Sequence, residues 1–167
     1  MPMLDAYIPE GALSPESEQQ LMSTLTDTLL RWEGADPDDD RARSIGWVFL
    51  HRPETVFVAG EPADREQPRY RIVASVPEGQ LDNELRAGMV AEITQNVLDA
   101  EPDGRDRDPF RVWVFANQIP EGTWGGAGMV FGLADIAAFV LGDAEAGAAH
   151  AKSRLALAKA ERDAIFT

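Results

Sequence analysis

Residues 1–11 read MPMLDAYIPEG and residues 70–79 read YRIVASVPEG. Taken as two copies of one unit, they decide the fold. Each runs a strand-length apolar or alternating stretch into Pro-Glu-Gly, where glycine lets the chain turn. The first copy gives a strand over 3–8, followed by a helix over roughly 15–32. Ser14 suits the N-cap, Pro15 the first helical position, and Glu16 the positive helix end. Leu21, Leu25, Leu29 and Trp32 recur at helical spacing and make one apolar face. The second copy gives a strand over 70–76 and a helix over about 83–99, with Leu85, Met89, Ile93 and Val97 on one face.

Each helix runs into a polar loop, EGADPDDDRAR at 33–43 and AEPDGRDRDP at 100–109, and each loop into further strands. In unit one these are SIGWVFL and TVFVA, hinged at His51-Arg52-Pro53. In unit two they are RVWVFANQI, then the glycine-rich turn PEGTWGGAG, with MVFGL pairing back. The doubled order predicts an α/β sandwich: duplicated β-α-β units forming a four-stranded sheet with two helices on one face. The units span about 2–60 and 69–132 within a domain over 1–142. The alanine-rich stretch 143–164 predicts a peripheral C-terminal helix in a tail over 143–167, with its basic residues late, where the helix dipole favours them. With no further long helix to cover the second sheet face, self-association is the economical solution. A ferredoxin-like ligand-binding module shares the element order and stays open as an alternative.

A 44% hydrophobic fraction is enough for a core in 167 residues. No apolar run is long enough to span a membrane, and the start lacks the basic flank and apolar stretch of a signal peptide. The absence of cysteine excludes disulfides and thiol chemistry and fits a cytoplasmic setting. A net charge of −14 argues against nucleic acid and anionic membranes as partners. The acidic stretch 36–40 lacks the glycine and terminal glutamate of a calcium loop and reads as solvent-facing.

Five segments in register resemble the tautomerase superfamily in its fused two-unit form, the group that includes malonate semialdehyde decarboxylase and cis-3-chloroacrylic acid dehalogenase. They are Pro2 after the initiator, IPEG at 8–11, LSPESEQQLMSTLTD at 13–27, HRPETVFVAG at 51–60 and VWVFANQIPEGTWGGAG at 112–128. The resemblance implies that Met1 is removed and that Pro2, as a free secondary amine, is the catalytic acid or base. It implies a homotrimer and no cofactor or metal. A free amine titrates near ~8, and apolar surroundings lower that value, so such a group can exchange protons near neutrality. Aligning the two copies puts Tyr70 opposite Pro2, so each chain holds at most one such amine. By residue type alone, Pro2 reads first as a strand-start residue whose missing N–H costs nothing, and it is the register of the other four segments that turns the reading toward a catalytic amine.

The departures are specific. Ala12 and Gln80 stand where the single-unit tautomerase has arginine, and Trp124 stands at its active-site phenylalanine. Leu29, Phe115 and Gly126 replace the dehalogenase's histidine, tyrosine and glutamate, which excludes dehalogenation. Val76 and Glu78 replace two arginines of the decarboxylase, whereas Asp40 before Arg41 and the His51-Arg52-Pro53 hinge resemble it. The candidates around Pro2 are therefore Trp124, Phe115 and Asp40, with Arg52, Arg71 and Arg69 to hold a carboxylate and Asn117 to donate to a carbonyl. Trp124 also fits an interface aromatic, Asn117 a residue satisfying nearby backbone, and His51 a plain hairpin position. The expected chemistry is proton transfer on a small enol or 2-keto acid. A decarboxylase or hydratase assisted by Asp40, and a catalytically silent trimeric binding protein, are the alternatives.

Overall fold

A computed structural model describes residues 3–165, so Met1 and Pro2 lie outside the described residues. Unit one begins with β1 (Met3–Tyr7) and α1 (Pro15–Trp32). It continues through a short helix α2 (Asp40–Ser44), β2 (Trp47–His51) and a small ladder of β3 (Phe57–Val58) and β4 (Glu61–Pro62). Unit two begins with β5 (Tyr70–Pro77) and α3 (Asn83–Asp99), followed by a 3₁₀ turn at Pro109–Arg111 and β6 (Val112–Ile119). A hairpin of β7 (Trp124–Gly126) and β8 (Met129–Phe131) follows, then α4 (Leu133–Leu141) and α5 (Ala144–Ile165).

The four long strands form one sheet in the order β2-β1-β5-β6. β1 and β2 pair in parallel, as do β5 and β6, and the two pairs meet antiparallel along β1 and β5. This is the expected fold: a mixed sheet from a doubled β-α-β order, with two long helices on one face. Alternate residues of the central strands turn to the helices, and Leu4, Ala6, Ile72, Ala74 and Val76 are buried there. Leu21, Leu25 and Leu29 of α1 and Met89, Ile93 and Val97 of α3 meet them. Each such side chain taken from water contributes about 1.5–3 kcal/mol.

Both helices start as their sequences dictate. Ser14 Oγ accepts from the Ser17 amide at 3.1 Å, and an Asp82 carboxylate oxygen accepts from the Leu85 amide at 2.9 Å. The helices approach so closely that a Cβ on Gly88 would lie 2.2 Å from the Trp32 ring. That ring lies across α3 and donates its indole N–H to Glu92 at 2.8 Å.

The other face of the sheet has no helix over it. Its side chains fall in cross-strand rows: Trp47–Met3–Ser75–Asn117, Phe49–Asp5–Val73–Phe115, and His51–Tyr7–Arg71–Trp113. The outer strands place aromatics there, with Trp47 62% exposed and Trp113 63% exposed. The centre is more polar than the sequence suggested. Asp5 bonds His51 Nε2 at 2.6 Å, Tyr7 stacks on His51, and the Arg71 guanidinium lies 3.8 Å over the Tyr7 ring.

Three local readings are corrected. The acidic stretch ends in a helix, α2, because Asp39 accepts from the Arg41 and Ala42 amides and caps it. TVFVA does not join the main sheet; it folds back at Ala59-Gly60, both with positive φ, into the separate β3–β4 ladder. After β8 the chain forms α4 rather than running straight to the terminal helix. α5 then lies outside with little buried beyond Gly147 and Ala151, and Gly147 is where it touches α4, since a Cβ there would sit 2.5 Å from the Ala138 nitrogen. No described helix is long and apolar enough to cross a membrane.

Candidate functional site

The N-terminal end of β1 opens into a cleft of about 690 Å³. Met3 of β1 and Trp47 of β2, paired in register, form one side together with Ile45, which follows α2. Ile119, at the end of β6, leads into the β7–β8 hairpin, which contributes Trp124 and Phe131. The third wall is α4, with Asp135, Ile136 and Phe139. The hairpin can turn within two residues because Ala127 and Gly128 both take positive φ, as a type I′ turn requires.

α4 is anchored at its start by two carboxylates. Glu121 accepts from the Leu133 amide at 3.0 and 3.2 Å, and Asp135 accepts from the Gly132 amide at 2.9 Å. Both sit at the positive end of the helix. The cleft therefore has one ionisable lining residue among the described ones, Asp135, and it is acidic.

A smaller cavity of about 100 Å³ adjoins the cleft, sharing Ile45 and Ile136 with it. It lies between the end of α1, α4 and α5, and holds Glu33, Gln80 and His150. Burial pushes the Glu33 carboxyl up to about 7. Burial, and then the charge of Arg154, lower His150 below the ordinary imidazole value. Gln80 joins the two, donating to the Glu33 carbonyl at 2.5 Å and meeting His150 Nε2 at 3.2 Å. The sequence reading missed Glu33 and His150. Glu33 sat at the head of an acidic run that looked solvated, and His150 in a helix assigned to the periphery.

Of the candidates named from sequence, Trp124 lines the cleft with Met3. Asn117 lies on the open sheet face in the same cross-strand row as Met3, and Phe115 one row further on. Arg71 sits over Tyr7 at the far end of that face. Arg52 is ion-paired with Glu18, its Nε donating at 3.2 Å, and Arg69 donates to the Gln67 carbonyl at 2.7 Å. Asp40 is the exposed first residue of α2. Leu29 and Val76 are core residues. Pro2 is outside the described residues, so its separation from Trp124 is as well. Among the described residues no cluster of three or more His, Asp or Glu side chains has the arrangement of a metal site.

No protein-family model and no curated protein matches the chain. Solved structures do. A fused 4-OT described as an asymmetric trimer superposes with a TM-score of 0.62 at 18% identity, over 77% of this chain and 94% of its own. A member of the cis-3-chloroacrylic acid dehalogenase family gives 0.59 at 22% identity, over 77% and 82%. Macrophage migration inhibitory factor from Toxoplasma gondii gives 0.57 at 12% identity, over 77% and 99%. The chain has the fused tautomerase-superfamily fold, and at these identities the likeness is one of fold.

Proposed function

We propose that the protein is a tautomerase-superfamily member whose working site is the apolar cleft. Pro2, freed by removal of Met1, acts there as the acid–base group in cofactor-independent proton transfer on an enol or keto compound. The observation that carries this reading is that Met3, the residue after Pro2, lines the cleft together with Trp124. An amine in apolar surroundings is disfavoured as ammonium, so its pKa falls from ~8 toward neutrality. The proton it takes from carbon can then be returned to carbon or oxygen by the same nitrogen.

The test is Pro2→Ala on a panel of enols and 2-keto acids. General acid–base groups contribute ~10²–10⁴-fold, and a loss of that size with unchanged thermal stability is expected. Equal turnover by both proteins would remove Pro2 from the chemistry. Mass spectrometry of the native N-terminus is the companion measurement, because a retained Met1 leaves residue 2 an amide nitrogen without basicity.

The proposal includes a homotrimer. It is supported by the exposed aromatics Phe49, Trp113 and Phe115 on the uncovered sheet face, and by the trimeric state of the fused 4-OT structures. A closed ring covers such a face without leaving a sticky edge. Light scattering at micromolar concentration should report three chains, and the mass of a single chain would refute it.

A catalytically silent binding protein of the same fold is the second reading, favoured by a cleft that no lysine or arginine lines among the described residues. The decarboxylase-like reading has less support, since Arg52 is tied to Glu18 and Asp40 is exposed.

A further inference from the structure

We propose that the cleft selects a neutral, ring-bearing carbonyl or enol compound and rejects small carboxylates. This rests on the cleft being the working site, and it names the class of molecule that site takes.

The first argument is charge. A carboxylate entering the cleft gives up its hydration, which is costly unless a cation or several donors replace the water. The one ionisable side chain that lines the cleft among the described residues is Asp135, which repels an anion and is itself engaged by the Gly132 amide. The N-terminus of α4 would otherwise attract a negative group, but Glu121 already occupies it by accepting from the Leu133 amide. Arg52 is paired with Glu18, and Arg71 lies over the Tyr7 ring at the far end of the sheet face. A net charge of −14 adds a long-range field of the same sign.

The second argument is surface and size. Trp47, Trp124, Phe131 and Phe139 bring four aromatic side chains to the walls, and Ile45 and Ile119 add aliphatic surface. Flat aromatic walls favour offset or edge contact with a ring in the ligand. A volume of about 690 Å³ lies in the usual range for a compound of about a dozen heavy atoms or more, and leaves a three-carbon acid mostly surrounded by water. Three of the walls' side chains, Asp135, Ile136 and Phe139, come from α4, so this helix sets what the cleft accepts.

The experiment uses the full-length protein and a matched pair of probes. 4-Phenylbutan-2-one and 2-oxo-4-phenylbutanoate share one skeleton and differ by a methyl group against a carboxylate. Titration calorimetry, with tryptophan fluorescence as a second readout from Trp47 and Trp124, should show the ketone binding at least about tenfold more tightly. Phe139→Ser, at an exposed position of α4, should weaken the ketone several-fold, and Phe139→Arg should shift the preference toward the carboxylate. Equal or tighter binding of the carboxylate by the wild type overturns the proposal. So does failure of the wild type to bind either probe, and so does ketone binding that appears only after the assembly is dissociated, which would make a second copy of the chain the occupant. Deuterium exchange beside the carbonyl, followed by NMR on both probes, separates this from the catalytic reading. A ketone that binds preferentially but exchanges no faster than in buffer sinks the catalysis and leaves the ligand class standing. Catalysed exchange with the carboxylate preferred does the reverse.

Discussion

Where β1 finishes, the molecule buries charges and pairs them; where β1 starts, it opens an apolar cleft. At the first end the Arg111 side chain is 0% exposed and that of Glu101 2% exposed. They form a two-pronged ion pair, Arg111 donating through both terminal nitrogens at 2.7 and 2.6 Å. Tyr70 donates to the same carboxylate at 2.7 Å, and Arg105 bonds the Ala12 carbonyl at 2.8 Å. This network joins the end of α3, the starts of β5 and β6, and the turn after β1. Arg111 Nε is the one buried side-chain polar atom without a partner among the described residues. At the second end Asp135 is the one ionisable side chain lining the cleft among the described residues, and the walls are rings and aliphatic chains. One end is a fastener whose value is lost if either partner goes; the other is an apolar wall open to solvent.

The largest effect should come from breaking the fastener. Removing one member of a buried ion pair strands the other, at a cost of about 3–5 kcal/mol. Arg111→Ala and Glu101→Ala should each cost that much in urea unfolding, and the Arg111→Met/Glu101→Leu double variant less than either. At the cleft end, Phe139→Ser should change stability by no more than about 0.5 kcal/mol, as exposed substitutions do. A tolerated Arg111→Ala would mean the network is solvated in solution, and the contrast between the ends would fail.

The same contrast should appear as opposite responses to pH. For Glu101, burial is the largest influence and raises the carboxyl. Hydrogen bonds from Arg111 and Tyr70, with the charges of Arg111 and Arg105, outweigh it and hold the group below the ordinary value. Its contribution is therefore complete above the usual carboxylate range near ~4 and is lost as pH falls through the depressed value. Glu33, beside the cleft, has the reverse sign. Raised to about 7, it favours the folded state fully below ~4 and progressively loses that contribution as pH rises to 7. Glu33→Gln should stabilise the protein at pH 8 by on the order of 1 kcal/mol and change little near pH 4. Thermal melts across that range decide it, and a gain that is equal at both pH values would show that Glu33 does not titrate as the cavity implies.

Much of the paired end's framework was legible in the sequence, but the pairing was not. Strand β5 announces itself by its β-branched apolar run and helix α3 by the spacing of Leu85, Met89, Ile93 and Val97. The stretch 100–109 holds six charges with no period, and composition cannot tell a run folded inward from one facing solvent. Glu101 and Arg111 meet because α3 stops at Asp99 and the chain doubles back into β6. At the cleft end Trp124 could be singled out because it stands at the position of the tautomerase's active-site phenylalanine. Ile136 and Phe139 could not, because α4 is nine residues long and apolar nearly throughout. In so short and apolar a run the polar face is one residue, Asp135, and the helix's markers are Gly132 and Asp135 at the start and Gly142 in a left-handed conformation at the end.

The smallest effect is the sharpest probe of the cleft wall. Two hairpins in this chain turn on Ala-Gly, at Ala59-Gly60 with φ of 53° and 87°, and at Ala127-Gly128 with φ of 50° and 77°. Alanine in the left-handed region costs about 1–2 kcal/mol against its preferred basin, and asparagine bears that conformation with less penalty. Ala59→Asn and Ala127→Asn should therefore each stabilise the protein by several tenths of a kcal/mol, up to about 1. The β3–β4 hairpin lines neither the cleft nor its neighbouring cavity, whereas Ala127 lines the cleft. Stiffening the second turn should slow dissociation of a bound neutral ketone by a few-fold, with the same substitution at Ala59 leaving it unchanged. Stopped-flow fluorescence after dilution measures that rate directly. Equal slowing by both variants would mean that general stability sets residence time. Slowing by Ala127→Asn alone would make the hairpin the movable wall through which ligand leaves.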